Sequence, residues 1–320
     1  MNKAILLLSL IALVGCNALI TEQDSTGIII ENDEMIVFIS PRGAELQSIQ
    51  SKRNHGEYLW HGDPDIWGDR APVMFPVNVH FKDDQYTYKG KRYEMPFLGL
   101  AYRRSFKVIS SETKNVAVFE LNSNEQTLQH YPFPFLFRVR YQLDGYKLIN
   151  EFTVENTGTE TLYYALGGHP GFTFITSEDA QRSDYQLTFS KSITMDRPII
   201  SGGLWQGQHV SFLKDDTCLN FDDPRIPQSG MFLKDSPARQ IGVGLKNEEP
   251  FVTVDLGTFP NVNLWSLPGR PFVCIEPMVS HHDSYDSPMA IEEKKHMETL
   301  SPGKTEVYRF VIQINPDAET

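Results

Sequence analysis

Two short stretches hold the residues best suited to proton chemistry. "GGHPGF" at 167–172 sets His169 among glycines and a proline, directly after the apolar run "YAL". "FVCIEPM" at 272–278 sets Glu276 between an isoleucine and a proline at the end of a strongly apolar strand. Glycine and proline interrupt regular pairing and let backbone approach closely, so an imidazole there is presented at a strand end. A carboxylate flanked by Ile275 and Pro277 is partly desolvated, which raises its pKa and suits it to act as a general base. Each residue also has a plain structural use: a core histidine satisfied by a neighbour, a glutamate closing a strand. Read singly, both uses stand. A third run, "APVMFPVNVH", ends in the same way at His80.

The elements that must carry these residues are strands. "TGIIIEN", "EMIVFIS", "VAVFELN", "FRVRYQL", "KLINEFTVEN", "YQLTF", "FVTVDLG" and "KTEVYRFVIQI" are rich in β-branched and aromatic residues with partial two-residue alternation. Turn clusters such as "DGYK", "ENTGTE" and "NSNE" separate them. "MAIEEKKHMETL" at 289–300 is the one modest helical pattern. Many short strands with frequent turns predict an all-β domain, a large sandwich or barrel, rather than βαβ units. No repeat or low-complexity linker divides the chain after about residue 25, which predicts one domain over 27–316. Aromatics flanking Gly or Pro, among them Trp60, Trp67, Phe172 and Trp265, suit ordinary core and also the faces of sugar rings.

The chain opens with Lys3, an apolar stretch over 4–14 and "LVGC", the pattern of an export signal too short to span a bilayer comfortably. The segment resembles a bacterial lipoprotein box. That implies cleavage after residue 15, lipidation of Cys16, a short tether over 16–26 and a globular body in the cell envelope, facing the periplasm or exterior. Attachment to the membrane would be through the lipid anchor alone. A net charge of −12 argues against nucleic acid, whose phosphates need clustered Lys and Arg. Cys218 and Cys274 are expected to be two buried free thiols.

The ordered series "GAELQSI" (43–49), "YLWHGDPDIW" (58–67), "APVMFP" (71–76), "YPFPFLFRVRYQL" (131–143), "GGHPGF" (167–172), "FVCIEP" (272–277) and "LSPGK" (300–304) resembles the aldose 1-epimerase (galactose mutarotase-like) family, in its shorter bacterial branch. The resemblance implies a β-supersandwich with a sugar in an open cleft, no metal or organic cofactor, and a monomer or dimer. It places His169 and Glu276 on the family's catalytic histidine and glutamate. Interconversion of α and β anomers opens the hemiacetal: a base takes the C1 hydroxyl proton while an acid protonates the ring oxygen, and closure on the other face reverses both roles. Glu276 is assigned the base and His169 the acid.

The resemblance carries departures with it. His80 stands where relatives have an arginine on sugar hydroxyls, so His80 is expected to bind substrate in its place. In "LGLAYR" (98–103), Leu98 replaces a second active-site histidine and Tyr102 an arginine, with Arg103 one place later. Tyr102 is carried as a binding residue. The family's substrate-binding aspartate falls at Asp215 or Asp216, and Asp216 is taken. Asp283 matches an acidic position beyond the Ile-Glu-Pro motif and is expected to orient a partner. Met278 replaces a tryptophan. The implied function is an aldose 1-epimerase; the alternative is a carbohydrate-binding lipoprotein of the same fold with weak or no turnover. A sugar phosphate as substrate is disfavoured by the lost arginines.

Overall fold

The computed structural model describes residues 27–109, 113–174, 181–227 and 230–318. The export signal, Cys16 and the tether lie outside the described residues. Strand makes up 52% of the chain and helix 5%, which establishes the all-β class.

Two antiparallel sheets form the body. The larger has nine strands, in the spatial order Leu204–Asn220, Tyr185–Ser201, Gln240–Leu245, Val252–Asp255, Thr305–Ile314, Lys147–Asn156, Phe135–Asp144, Val116–Asn122 and Lys107–Ile109. Each of its long central strands alternates: Phe135–Asp144 buries Phe135, Phe137, Val139, Tyr141 and Leu143 and turns Arg138 and Arg140 away. The six-stranded sheet runs Met231–Leu233, Asn261–Trp265, Phe272–Met278, Gly167–Gly168 and Val73–Met74, with Gly171–Thr173 also paired onto Phe272–Met278. A three-stranded sheet, Ile28–Glu31, Met35–Ser40 and Glu45–Ser51, joins the same core.

Phe272–Met278 is buried at all seven positions, because both of its faces are covered. Alternation sends Val273 and Ile275 into the main core beside Phe152, Phe310 and Ile312 of the larger sheet. Phe272, Cys274, Glu276 and Met278 therefore point to the opposite face. There Phe272 and Cys274 join one aromatic cluster and Met278 another apolar one. This second face carries the candidate site.

Three expectations need correction. The 289–300 segment is not a helix: it holds a single 3-10 turn, Ile291–Glu293, and a short strand, Glu298–Leu300, because Leu300 pairs with Leu162 across from it. Among the described residues only Cys274 is a buried thiol. Cys218 is exposed on the outer strand of the nine-stranded sheet, where alternation turns Leu219 inward instead. The strand read as "YQLTF" continues to Ser201 and forms, with Leu204–Asn220, a long hairpin that overhangs the sheet. Its tip packs on the 281–285 turn, where Trp205 N–H donates to Asp283 O at 2.9 Å.

Candidate active site

His169 lies in the break between Gly167–Gly168 and Gly171–Thr173. Its own N–H donates to Pro72 O at 2.9 Å, and Ile275 N–H donates to Pro170 O at 3.2 Å, so the segment is laced to a strand on each side. The glycines are required by contact: a Cβ on Gly168 would come within 3.0 Å of the Phe310 ring, and one on Gly171 within 2.6 Å of Trp67. Glu276 sits inside its strand, not at the end, and continues into Pro277 and Met278. It is 1% exposed. Because Gly171 pairs with Cys274, the chain direction brings His169 opposite Glu276, with Nε2 to Oε1 at 3.5 Å. Asn263, the register partner of Glu276 on the adjacent strand, donates its side-chain N–H to the same Oε1 at 2.9 Å.

Aromatic rings wall this pair. Trp67 lies 5.1 Å from the His169 ring, centroid to centroid, and Trp265 lies 5.7 Å away, edge-on. Phe272 stacks on Trp67 at 5.3 Å and on Trp60 at 4.7 Å. The Trp67 loop is fixed from beneath: Glu45 accepts the N–H groups of Arg70 and Ala71 at 2.9 and 3.0 Å, and Trp60 Nε1–H donates to Trp67 O at 2.8 Å.

Burial sets the charge state of the pair. It pushes the Glu276 carboxyl well above the ordinary carboxylate range, against the opposing hydrogen bond from Asn263. It also holds the His169 imidazole down at about 4, against smaller upward pulls that include Asp69. A desolvated carboxylic acid and a desolvated imidazole are both favoured in their neutral forms. Burial therefore biases the pair toward a proton on Glu276 rather than on His169.

The remaining sequence-derived positions fall in different places. Tyr102 packs against an apolar floor of Met74, Leu98, Phe232 and Met278, and its hydroxyl donates to Asp69 at 2.8 Å. Arg103 pairs with the other oxygen of Asp69 at 2.9 Å and lies over the Tyr102 ring. His80 has Nδ1 3.0 Å from Asp84 and Nε2 2.8 Å from Gly202 O, so each ring nitrogen faces an oxygen of the protein itself. Asp216 accepts from Arg225 at 3.0 Å on the long hairpin. Asp283 forms a buried ion pair with Lys294 at 2.8 Å, with His296 Nε2 at 3.6 Å. Burial alone would raise its pKa, but His296 and Lys294 outweigh that and lower it. Among the described contacts, Asp216 and Asp283 do not reach His169 or Glu276. Asp283 orients the 281–285 turn instead, through Lys82 N–H at 3.1 Å and Ser284 N–H at 3.0 Å.

Phe232 connects the apolar floor to a cleft of about 210 Å³, also lined by Trp205, His209, Lys234, His281 and His282. Trp205 and His209 come from the long hairpin, which sequence patterning did not reveal. Asn263 and Asp69 were also missed. Their side chains are unremarkable in sequence, and only strand register and the Trp67 loop bring them to the pair.

The matching family model is that of aldose 1-epimerase, over residues 27–313. Protein LacX (plasmid) of Lactococcus lactis subsp. lactis is 29% identical over 296 residues, covering 89% of this chain and 98% of that one. A galactose mutarotase related enzyme from Lactobacillus acidophilus superposes with a TM-score of 0.85 at 31% identity, covering 92% of this chain and 100% of that one. A galactose mutarotase-like protein from Lactobacillus casei gives 0.84 at 27% identity, covering 91% and 100%. With the sandwich, the order of its motifs and the His169–Glu276 pair in agreement, the chain belongs to the aldose 1-epimerase family.

Proposed function

We propose that this protein is an aldose 1-epimerase that opens and recloses the hemiacetal ring of a free aldose. The observation that carries this reading is the buried His169–Glu276 contact of 3.5 Å, walled by Trp67 and Trp265. Ring opening must take a proton from the C1 hydroxyl and give one to the ring oxygen. A pair holding one proton between two desolvated groups supplies both at once, and is regenerated when the ring closes. Burial biases that proton toward Glu276. Opening with Glu276 as base therefore follows its transfer to His169; opening with Glu276 as acid uses it directly, and the reverse reaction exchanges the two. The indole faces suit the C–H side of a sugar ring.

Polarimetry on freshly dissolved glucose, galactose and a panel of pentoses tests the reading. Mutarotation above the spontaneous rate, lost in Glu276→Gln, is the expected result. A wild-type protein that binds a sugar by calorimetry without accelerating any of the panel would leave the second reading. That reading is a binding protein of the same fold, and the apolar floor favours it: Leu98, Phe232 and Met278 offer a sugar hydroxyl no polar partner.

We also propose export and lipid anchoring through Cys16, supported by the basic-then-apolar leader ending in "LVGC". Mass spectrometry of the membrane fraction should find a diacyl- or triacyl-modified Cys16 as the first residue. An unmodified N-terminus elsewhere overturns it.

A further inference from the structure

The face that carries the proton pair carries a third group that ring opening does not use. Cys274 lies between Phe272 and Glu276 on the same side of the strand, and register pairs it with Gly171, two residues beyond His169. One ligating atom each from His169, Cys274 and Glu276 lies within 4.8 Å of the others. We infer that His169, Cys274 and Glu276 form a three-ligand site for a thiophilic divalent cation of the Zn²⁺ class, which shuts the proton pair off when it binds.

His169 and Glu276 stand at a metal-ligand separation, and the third donor, on Cys274, lies within 4.8 Å of both. Zn²⁺ takes imidazole nitrogen and carboxylate oxygen at about 2.0–2.2 Å, so two such ligands in a tetrahedron stand about 3.4 Å apart. The His169 Nε2–Glu276 Oε1 separation is 3.5 Å. Sulfur, nitrogen and oxygen donors together match Zn²⁺ or Cd²⁺ better than Mg²⁺ or Ca²⁺, which prefer oxygen alone. A sugar hydroxyl or water would complete the fourth position.

Ligation needs the thiolate, the carboxylate and the neutral imidazole, so any proton on sulfur or oxygen passes to solvent as the bonds to M²⁺ form. Of the three ligands His169 keeps the most exposure, with 15% of its side chain accessible.

The consequence for turnover rests on the isomerase reading; the site itself does not. The test titrates the full chain carrying Cys16→Ser and Cys218→Ser, which leaves Cys274 as the remaining thiol of the three cysteines, with Cd²⁺ and then Zn²⁺. Calorimetry should give one metal per chain. Cd²⁺ should raise the ultraviolet thiolate-to-metal band. Cys274→Ala should abolish that band, and His169→Ala and Glu276→Gln should each weaken binding by at least about tenfold, in line with loss of one ligand of three. Circular dichroism establishes that each variant is folded. An unchanged affinity in both His169→Ala and Glu276→Gln overturns the proposal, since the thiol would then be acting alone. So does a folded protein that binds no Cd²⁺. Mutarotation present without metal and lost on its addition supports the inhibitory role. Absence of turnover in the metal-free protein counts against the isomerase reading alone, because the band and its response to the variants decide the metal site.

Discussion

Asn263 and His169 converge on the same oxygen of Glu276, the amide N–H at 2.9 Å and the imidazole Nε2 at 3.5 Å. The hydrogen bond from Asn263 pulls the Glu276 pKa, raised by burial, back down. Asn263 thus adjusts how firmly the pair's proton is held without itself exchanging one.

Activity should show a bell-shaped pH profile in kcat/KM. The acid limb falls at about 4, where His169 gains a proton, and the alkaline limb lies well above the ordinary carboxylate range, where the pair loses its proton. Asn263→Ala removes the bond that lowers Glu276, so it should move the alkaline limb upward and leave the acid limb in place. Polarimetric rates across pH measure both. An acid limb that shifts while the alkaline limb stays would place the coupling elsewhere.

Glu276→Gln keeps the shape and the acceptor for Asn263 but removes the exchangeable proton. Mutarotation should fall by about 10²–10⁴-fold, the usual contribution of a general acid or base. Sugar binding measured by calorimetry should persist.

His169 and His282 contribute stability that is lost as pH drops from about 6.5 toward about 4. His169 and His282 are both held at about 4 by burial, against an ordinary value of 6.5. In that window the unfolded chain binds more protons than the folded one, so stability rises with pH. Glu276 contributes the opposite slope. Its folded pKa is raised, the folded state holds the extra proton above about 4.5, and stability is lost as pH rises through that range. The Glu276→Gln variant should therefore gain stability relative to wild type as pH rises, in denaturant unfolding at a series of pH values. A difference that is flat with pH would mean that Glu276 is ionised in the folded state.

Asp283→Ala leaves Lys294 buried with no carboxylate. Removing one partner of a buried pair costs about 3–5 kcal/mol, so thermal unfolding should shift downward by many degrees. The acid limb set by His169 should stay at about 4, because Asp283 supports the 281–285 turn and does not touch the pair.

Gly171→Ala would bring a methyl group to within 2.6 Å of the Trp67 ring. Displacing that ring from His169 should weaken sugar binding. Overpacking of this kind costs about 1–3 kcal/mol. Trp67→Leu together with Gly171→Ala should recover the stability without recovering the affinity.

The strands were legible because their signal is local. Phe135–Asp144, Lys147–Asn156 and Thr305–Ile314 alternate over ten residues each, and alternation needs no knowledge of the partner strand. His169 and Glu276 were legible because glycine and proline beside a reactive side chain mark a backbone that must pass close to its neighbours. The sequence by itself therefore determined an all-β chain, its family resemblance, and two residues able to exchange a proton. It left open whether they meet. That was decided by register: Gly171 against Cys274, and Asn263 against Glu276, set side chains from three separate strand segments onto one face. The fates of His80 and Asp283 were likewise tertiary. Their partners, Gly202 and Lys294, come from the hairpin tip and from the segment that local pattern reads as a helix. Local propensity says which bonds a residue is able to make. Which of them it does make depends on chain segments that only the folded sheet brings within reach.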